Sequence, residues 1–167
     1  MSESLNICLS CGSCCDGTLI GFVQLENEER SRMRALMEIE EVDDKGFFFL
    51  PCKNLGCDGC KIYTQRPKKC GEFECGILKS FQAKELDFDS AMAVINLLKQ
   101  KRFAIEEKLA ALPLQLQSQS FYFKVLELKK LLQKDNSEFS LSEKHENLLS
   151  EIQELDQLVR QYFGISY

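Results

Sequence analysis

Four thiols fall within eight positions near the start of the chain, Cys8, Cys11, Cys14 and Cys15, and a second group follows at Cys52, Cys57, Cys60, Cys70 and Cys75. Cysteines three residues apart turn two sulfurs toward one ion while the amides of the turn hydrogen-bond the thiolates, which is why zinc and iron–sulfur sites reuse this spacing. Gly12, inside the first group, is free to take the positive φ that a tight metal-wrapping loop needs. Cys15 stands apart from the other three. In an extended chain its side chain projects away from that of Cys14, which leaves it open to a second metal, a bridge between two ions, or use as a reactive thiol. Lys61, Arg66, Lys68 and Lys69 surround the second group, either as charges that offset several thiolates around one divalent ion or as ordinary surface cations.

Spacing restricts the metal without naming it. The first group begins like the bacterial ferredoxin pattern but lacks its ending, and Cys52, Cys57 and Cys60 echo the plant-type ferredoxin spacing in part. Zinc needs only four-coordinate thiolate sites, and eight of the nine cysteines suffice for two such sites or for one multinuclear centre. A chain of 167 residues buries a core without covalent staples, so its thiols are not needed for bulk stability. Residues Met1 to Cys8 include an acidic residue and no apolar run of signal-peptide length, and no stretch approaches the roughly 20 apolar residues of a membrane span. The expectation is a soluble, cytoplasmic protein with no membrane partner, whose odd number of thiols holds metal in preference to disulfides.

Other chemistries lack their residues. No Walker-type or Rossmann-type glycine loop and no nucleophile elbow is present, so nucleotide, hydride and acyl chemistry are not expected. The single histidine, His145, lies beside an apolar stripe and reads as a packing-edge residue, which argues against a zinc hydrolase with histidine ligands. Formal charge is −5, with ten basic against thirteen acidic residues over 1–80 and eleven against thirteen over 81–167, so neither half resembles a nucleic-acid-binding arm. Glu38, Glu40, Glu41, Asp43 and Asp44 read as solvated loop surface.

The elements that must position the thiols divide the chain in two. Every cysteine lies between residues 8 and 75, which sets residues 1–80 apart as a cysteine-cluster module and 81–167 as a helical region packed on it. In the module, the apolar run Leu19, Ile20, Phe22, Val23 and Leu25 predicts a strand, a helix is expected from about Glu26 to Ile39, and Gly46 opens a second strand that Pro51 stops. Pro67 is placed to start a short helix that aims Cys70 and Cys75 inward, with Tyr63 and Phe73 shielding the cluster. The helical region carries three stripes: Phe88, Met92, Ile95, Leu98, Ile105, Leu109 and Leu112; Phe121, Val125, Leu128 and Leu132; and Leu141, Leu148, Ile152, Leu155 and Val159. Ser140 with Glu143 forms a capping box and Gly164 a stop signal. The fold expected is α+β, mainly α: a small metal-binding module with short strands beside a helical hairpin or three-helix unit.

The order Cys8-x2-Cys11-Gly12-x-Cys14-Cys15, Cys52, Cys60-Lys61-Ile62-Tyr63 and Arg66-Pro67-x2-Cys70-x2-Phe73-x-Cys75 resembles the CxxCxxCC family, also called the YkgJ-type cysteine-cluster family. The resemblance spans about residues 8–75 and implies a zinc- or iron-chelating module with Cys8, Cys11, Cys14, Cys15, Cys52, Cys60, Cys70 and Cys75 as metal residues. A related module occurs in enzymes of flagellin lysine N-methylation. Cys57 is extra to the pattern, either a substitute ligand or a spare thiol. Two functions remain open: a metal-binding module serving metal handling or presenting its C-terminal helices to a protein partner, and an iron–sulfur redox or radical-type enzyme or accessory protein. A disulfide-bonded scaffold would require export, which the N-terminal residues do not support.

Overall fold

Alternation decides which face of the first strands is buried. Val23 and Leu25 point inward while Phe22 and Gln24 face out, and Gly46 and Phe48 do the same on the partner strand. The computed structural model describes residues 3–113, 115–134 and 143–167, with side chains described for 7–113, 115–132 and 146–167. Its small antiparallel sheet has the order β1 (Phe22–Leu25), β3 (Lys45–Phe49), β2 (Glu40–Val42), with Phe22 opposite Phe49 and Glu40 opposite Phe47. Asp43 and Asp44 turn the β2–β3 hairpin in the left-handed region, which aspartate tolerates better than most residues. The acidic run around them is exposed, as expected. A second hairpin, β4 (Leu55–Gly56) with β5 (Gly59–Cys60), has Cys57 and Asp58 at its tip.

Val23, Leu25, Met33, Met37, Phe48 and Leu50 form a small core under the sheet. The helix expected over 26–39 is much shorter. A 3-10 turn at Asn27–Glu29 leads into α2 (Arg30–Arg34), and the chain then turns at Ala35 so that Met33 and Met37 both reach this core. Demand for two buried methionines under a sheet overrides the helical periodicity.

The larger core belongs to helices. α5 (Phe88–Ala110), α6 (Phe121–Lys134) and α7 (Glu143–Phe163) bury Ile95, Leu98, Ile105, Leu109, Phe121, Val125, Leu128, Leu148, Ile152, Leu155 and Val159 against one another. Each such side chain stabilises the fold by about 1.5–3 kcal/mol. Asp87 caps α5 by accepting from the Ser90 amide at 2.7 Å, and Gly164, at φ +69°, ends α7. Phe88 departs from its expected stripe and stays exposed, because Ala91, one turn on, takes the buried place. Leu141 and Ser140 of the proposed stripe and capping box lie outside the described residues, as does the side chain of His145.

Ile7, Leu19 and Ile77, from the cysteine-bearing part of the chain, enter this same helical core. Ile7 does so from α1 (Glu3–Cys11), a helix that the cysteine-rich start did not suggest, and Ile77 from α4 (Gly76–Gln82). Between the two hairpins and α4 runs α3 (Lys68–Glu72). No described helix is long and apolar enough to cross a membrane.

Candidate metal centre

Cys8 and Cys11 sit on α1 at a spacing of three, the separation that brings two side chains onto one helix face. Gly12 then ends the helix at φ +66° with its amide donating to the Cys8 carbonyl at 3.1 Å, so the positive φ expected there is present and serves as a helix cap. Cys14 and Cys15 follow in a turn closed by Asp16 N–H to Gly12 O and Gly17 N–H to Cys14 O, so the extended-chain condition weighed for Cys15 does not apply. Cys75 stands at the start of α4. A Cβ on the next residue, Gly76, would lie 2.5 Å from the Tyr162 carbonyl oxygen, so glycine is what lets α4, and Cys75 with it, press onto the backbone of α7.

The remaining thiols come from the sheet side. Cys52 donates its amide to the Cys15 carbonyl at 2.7 Å, Cys60 lies in β5 opposite Leu55, and the Leu55 amide returns to the Cys52 carbonyl at 3.0 Å. Cys70 is carried by α3. Pro67 stands just before that helix, one position earlier than expected, and α3 ends before Cys75, so the short helix aims Cys70 alone. The start of α3 is held by Glu29, a buried carboxylate that accepts the Lys68 amide on one oxygen (3.0 Å) and the Glu26 amide on the other (3.1 Å). Sequence reading passed over Glu29; its only signal was a glutamate three residues from Glu26 at a helix start.

Eight thiols, those of Cys8, Cys11, Cys14, Cys15, Cys52, Cys60, Cys70 and Cys75, line a single cavity of about 710 Å³ together with Ile7, Leu19, Ile20 and Phe48. Cys57, at the hairpin tip, is exposed and outside it. All nine cysteines are free. Among the described residues, no group of three or more Cys, His, Asp or Glu side chains already stands in metal-holding geometry, so the thiols surround the cavity without closing on a point.

Burial is the largest influence on six of these thiols. It pushes Cys8 up to about 11 and Cys15 and Cys70 to about 12, and it holds Cys14 well above the ordinary range. Neighbouring thiolates add to this in two patterns. Cys8 and Cys14 are raised by Cys11 and Cys75, whereas Cys15 and Cys70 are raised by Cys52 and Cys60; the neighbour Cys15 also raises Cys14, more weakly than Cys11 and Cys75 do. Burial also raises Cys52 and Cys75, with backbone amides offsetting part of the effect: Asn54 and Leu55 at Cys52, Leu78 and Ile77 at Cys75. Near neutral pH the raised thiols stay protonated until something positive arrives.

Two cations already act on these thiols, exposed Lys53 on Cys52 and Arg66 on Cys8 and Cys70. Arg66 lies with its guanidinium carbon 3.9 Å from the centre of the Tyr63 ring and lowers both Cys8 and Cys70. Lys61, Lys68 and Lys69 are exposed; Lys68 and Lys69 pair with Glu72, and Lys69 also with Glu26, so these behave as surface cations. Tyr63 is half-buried under Arg66, but Phe73 remains 37% exposed and shields little. Behind the Cys14–Cys15 turn, Asp16 accepts from Thr18 N and Oγ1 on one oxygen and from Arg102 of α5 on the other at 2.5 Å, which ties the cysteine loop to the helical core.

No curated protein and no solved structure matches the chain. Residues 7–91 match the CxxCxxCC family, whose description reads "Putative zinc- or iron-chelating domain". That match covers just over half of the chain and takes in the cavity's eight thiols, Arg66, all of α4 and the start of α5; the chain belongs to the CxxCxxCC family.

Proposed function

We propose that the protein chelates zinc or iron through the thiolates of Cys8, Cys11, Cys14, Cys15, Cys52, Cys60, Cys70 and Cys75, and that the bound metal fixes the cysteine module of residues 1–80 on the helical support of residues 81–167. The observation that carries this reading is the sorting of nine free cysteines, eight into one apolar-walled cavity and one onto a hairpin tip. An all-thiol donor set suits zinc and iron and suits magnesium or calcium poorly. Coordination requires the side chains to rotate inward and shed their protons, and Arg66 eases that by compensating charge on either side of the cavity. Zinc, when bound, supplies a redox-inert cross-link, and for structural sites the binding free energy is on the order of 10 kcal/mol, enough to decide whether the module folds. The protein then acts in cytoplasmic metal handling or presents its helices to a protein partner, without a reaction of its own.

The cavity volume favours one further reading. About 710 Å³ leaves room beyond single metal ions for inorganic sulfide, as an iron–sulfur centre in a redox or accessory role would need. Elemental analysis with acid-labile sulfide, on full-length protein purified without oxygen, separates the two. Zinc or iron without sulfide supports the chelating module, iron with comparable sulfide supports the cluster, and neither metal refutes both.

A further inference from the structure

The adjacent residues Cys14 and Cys15 belong to different layers of the fold. Cys14, Cys11 and Cys75 pack against the helical core, and Cys8 sits on α1 at a spacing of three from Cys11. Cys52 and Cys70 pack against the other core, under the sheet. Cys15 is joined to that side by the hydrogen bond from the Cys52 amide, and Cys60 by the pairing of Leu55 with Cys60 and the bond from the Leu55 amide to the Cys52 carbonyl. Two independent packing clusters and a set of backbone bonds therefore divide eight thiols four and four.

Resting on the chelation reading above, we infer that the module holds two separate four-thiolate metal centres, one of Cys8, Cys11, Cys14 and Cys75 and the other of Cys15, Cys52, Cys60 and Cys70, divided at the Cys14–Cys15 peptide. Four thiolates complete the tetrahedral shell of a structural zinc site, so each set suffices alone and neither needs Cys57 or a bridging sulfur. Each centre of four thiolates and one divalent ion carries a net charge of −2, and Arg66, which lines the same cavity with its guanidinium over the Tyr63 ring, supplies positive charge beside them. The first centre fastens α1 to α4 on the helical core; the second fastens the Cys15 turn and the β4–β5 hairpin to α3.

The test uses the full chain, stripped of metal and reloaded with cadmium under anaerobic conditions, read by cadmium NMR. Two resonances are expected, each correlated with the β-protons of four cysteines in the sets given, with no cadmium–cadmium coupling. In parallel, cobalt loading is expected to give two ions per wild-type chain and per Cys57→Ser chain, one per Cys75→Ser or Cys70→Ser chain, and the wild-type charge-transfer spectrum as the sum of those of the two single variants. A cysteine correlated with both cadmium ions, a cadmium–cadmium coupling, or assignment of Cys14 and Cys15 to the same ion overturns the division, while metal binding itself stands. A wild-type chain that takes up neither ion overturns the chelation reading and the division with it. The wild-type NMR result decides the matter even where a serine variant does not fold.

Discussion

The Cys52 amide donates to the Cys15 carbonyl at 2.7 Å, joining two residues 37 positions apart in the chain and setting the second cysteine group beside the last member of the first. Every reading of the site depends on this junction, and it is held from behind by groups that are not thiols.

Arg102 is the first of those groups. Its guanidinium reaches Asp16 at 2.5 Å and Glu106 at 3.1 Å, with 23% of the side chain exposed. Removing it strands Asp16 next to Cys15 with a half-buried charge. Arg102→Met is expected to destabilise the fold by about 1–3 kcal/mol, because breaking one partner of a sheltered pair leaves the other unsatisfied. It should also speed metal loss to a chelator several-fold. Urea denaturation and chelator-exchange kinetics check both; unchanged exchange would show that the α5 tether does not reach the metal centre.

Glu29 acts from the opposite side. Glu29→Ala leaves the Lys68 and Glu26 amides without their acceptor and frees the start of α3, for an expected loss of about 1–3 kcal/mol. Cys70 rides on that helix, so metal retention should fall together with stability. Glu29→Gln keeps one acceptor oxygen and should recover part of both, as thermal melts and metal analysis of the pair of variants would reveal.

Arg66 offers a separable electrostatic test. Arg66→Met keeps much of the aliphatic stem and removes both the guanidinium over Tyr63 and the charge felt by Cys8 and Cys70. Metal affinity should drop about tenfold, equivalent to about 1.4 kcal/mol, and Arg66→Lys should restore part of it. Competition titration against a coloured chelator measures the shift, and equal affinities for wild type and Arg66→Met would remove Arg66 from the site's chemistry.

The raised thiols give the protein a defined response to pH. In the metal-free fold Cys8 ionises near 11 and Cys15 and Cys70 near 12, against an ordinary value of 9.0. Groups with raised values contribute stability that is full below about 9 and is lost as pH climbs through 11–12, so the urea midpoint of the stripped, reduced protein should fall over that window, and less steeply in Cys15→Ala. Metal reverses the direction. Near pH 7 the raised thiols Cys8, Cys14, Cys15, Cys52, Cys70 and Cys75 are neutral, so loading releases at least six protons per chain, and affinity weakens steeply as pH falls. Calorimetry in buffers of different ionisation enthalpy counts those protons.

Much of this site was legible in residue types and spacing, because thiols are unambiguous in chemistry and their order is specific. The strands of Phe22–Leu25 and Lys45–Phe49 and the stripes of α5, α6 and α7 were legible for a related reason: burial enforces period two or 3.6 on any chain that packs. What escaped was tertiary. The helix α1 was hidden because Cys8 and Cys11 suggested a loop, and Cys14 and Cys15 part by layer in a turn and not by extended-strand alternation. The choice of Arg66 over Lys61, Lys68 and Lys69 depends on the stack with Tyr63. The pairing of Asp16 with Arg102 spans 86 positions, a separation across which local patterns carry no information.

The most direct measurement is the intact mass of the full-length protein, isolated without oxygen and sprayed under native conditions, beside its mass after acid denaturation. Chelation by the eight cavity thiols requires a native mass above that of the polypeptide by bound zinc or iron, with the excess lost in acid and nine reduced thiols left behind. A native mass equal to that of the bare, fully reduced polypeptide, in protein that is folded and shows its cooperative unfolding transition, would contradict the account.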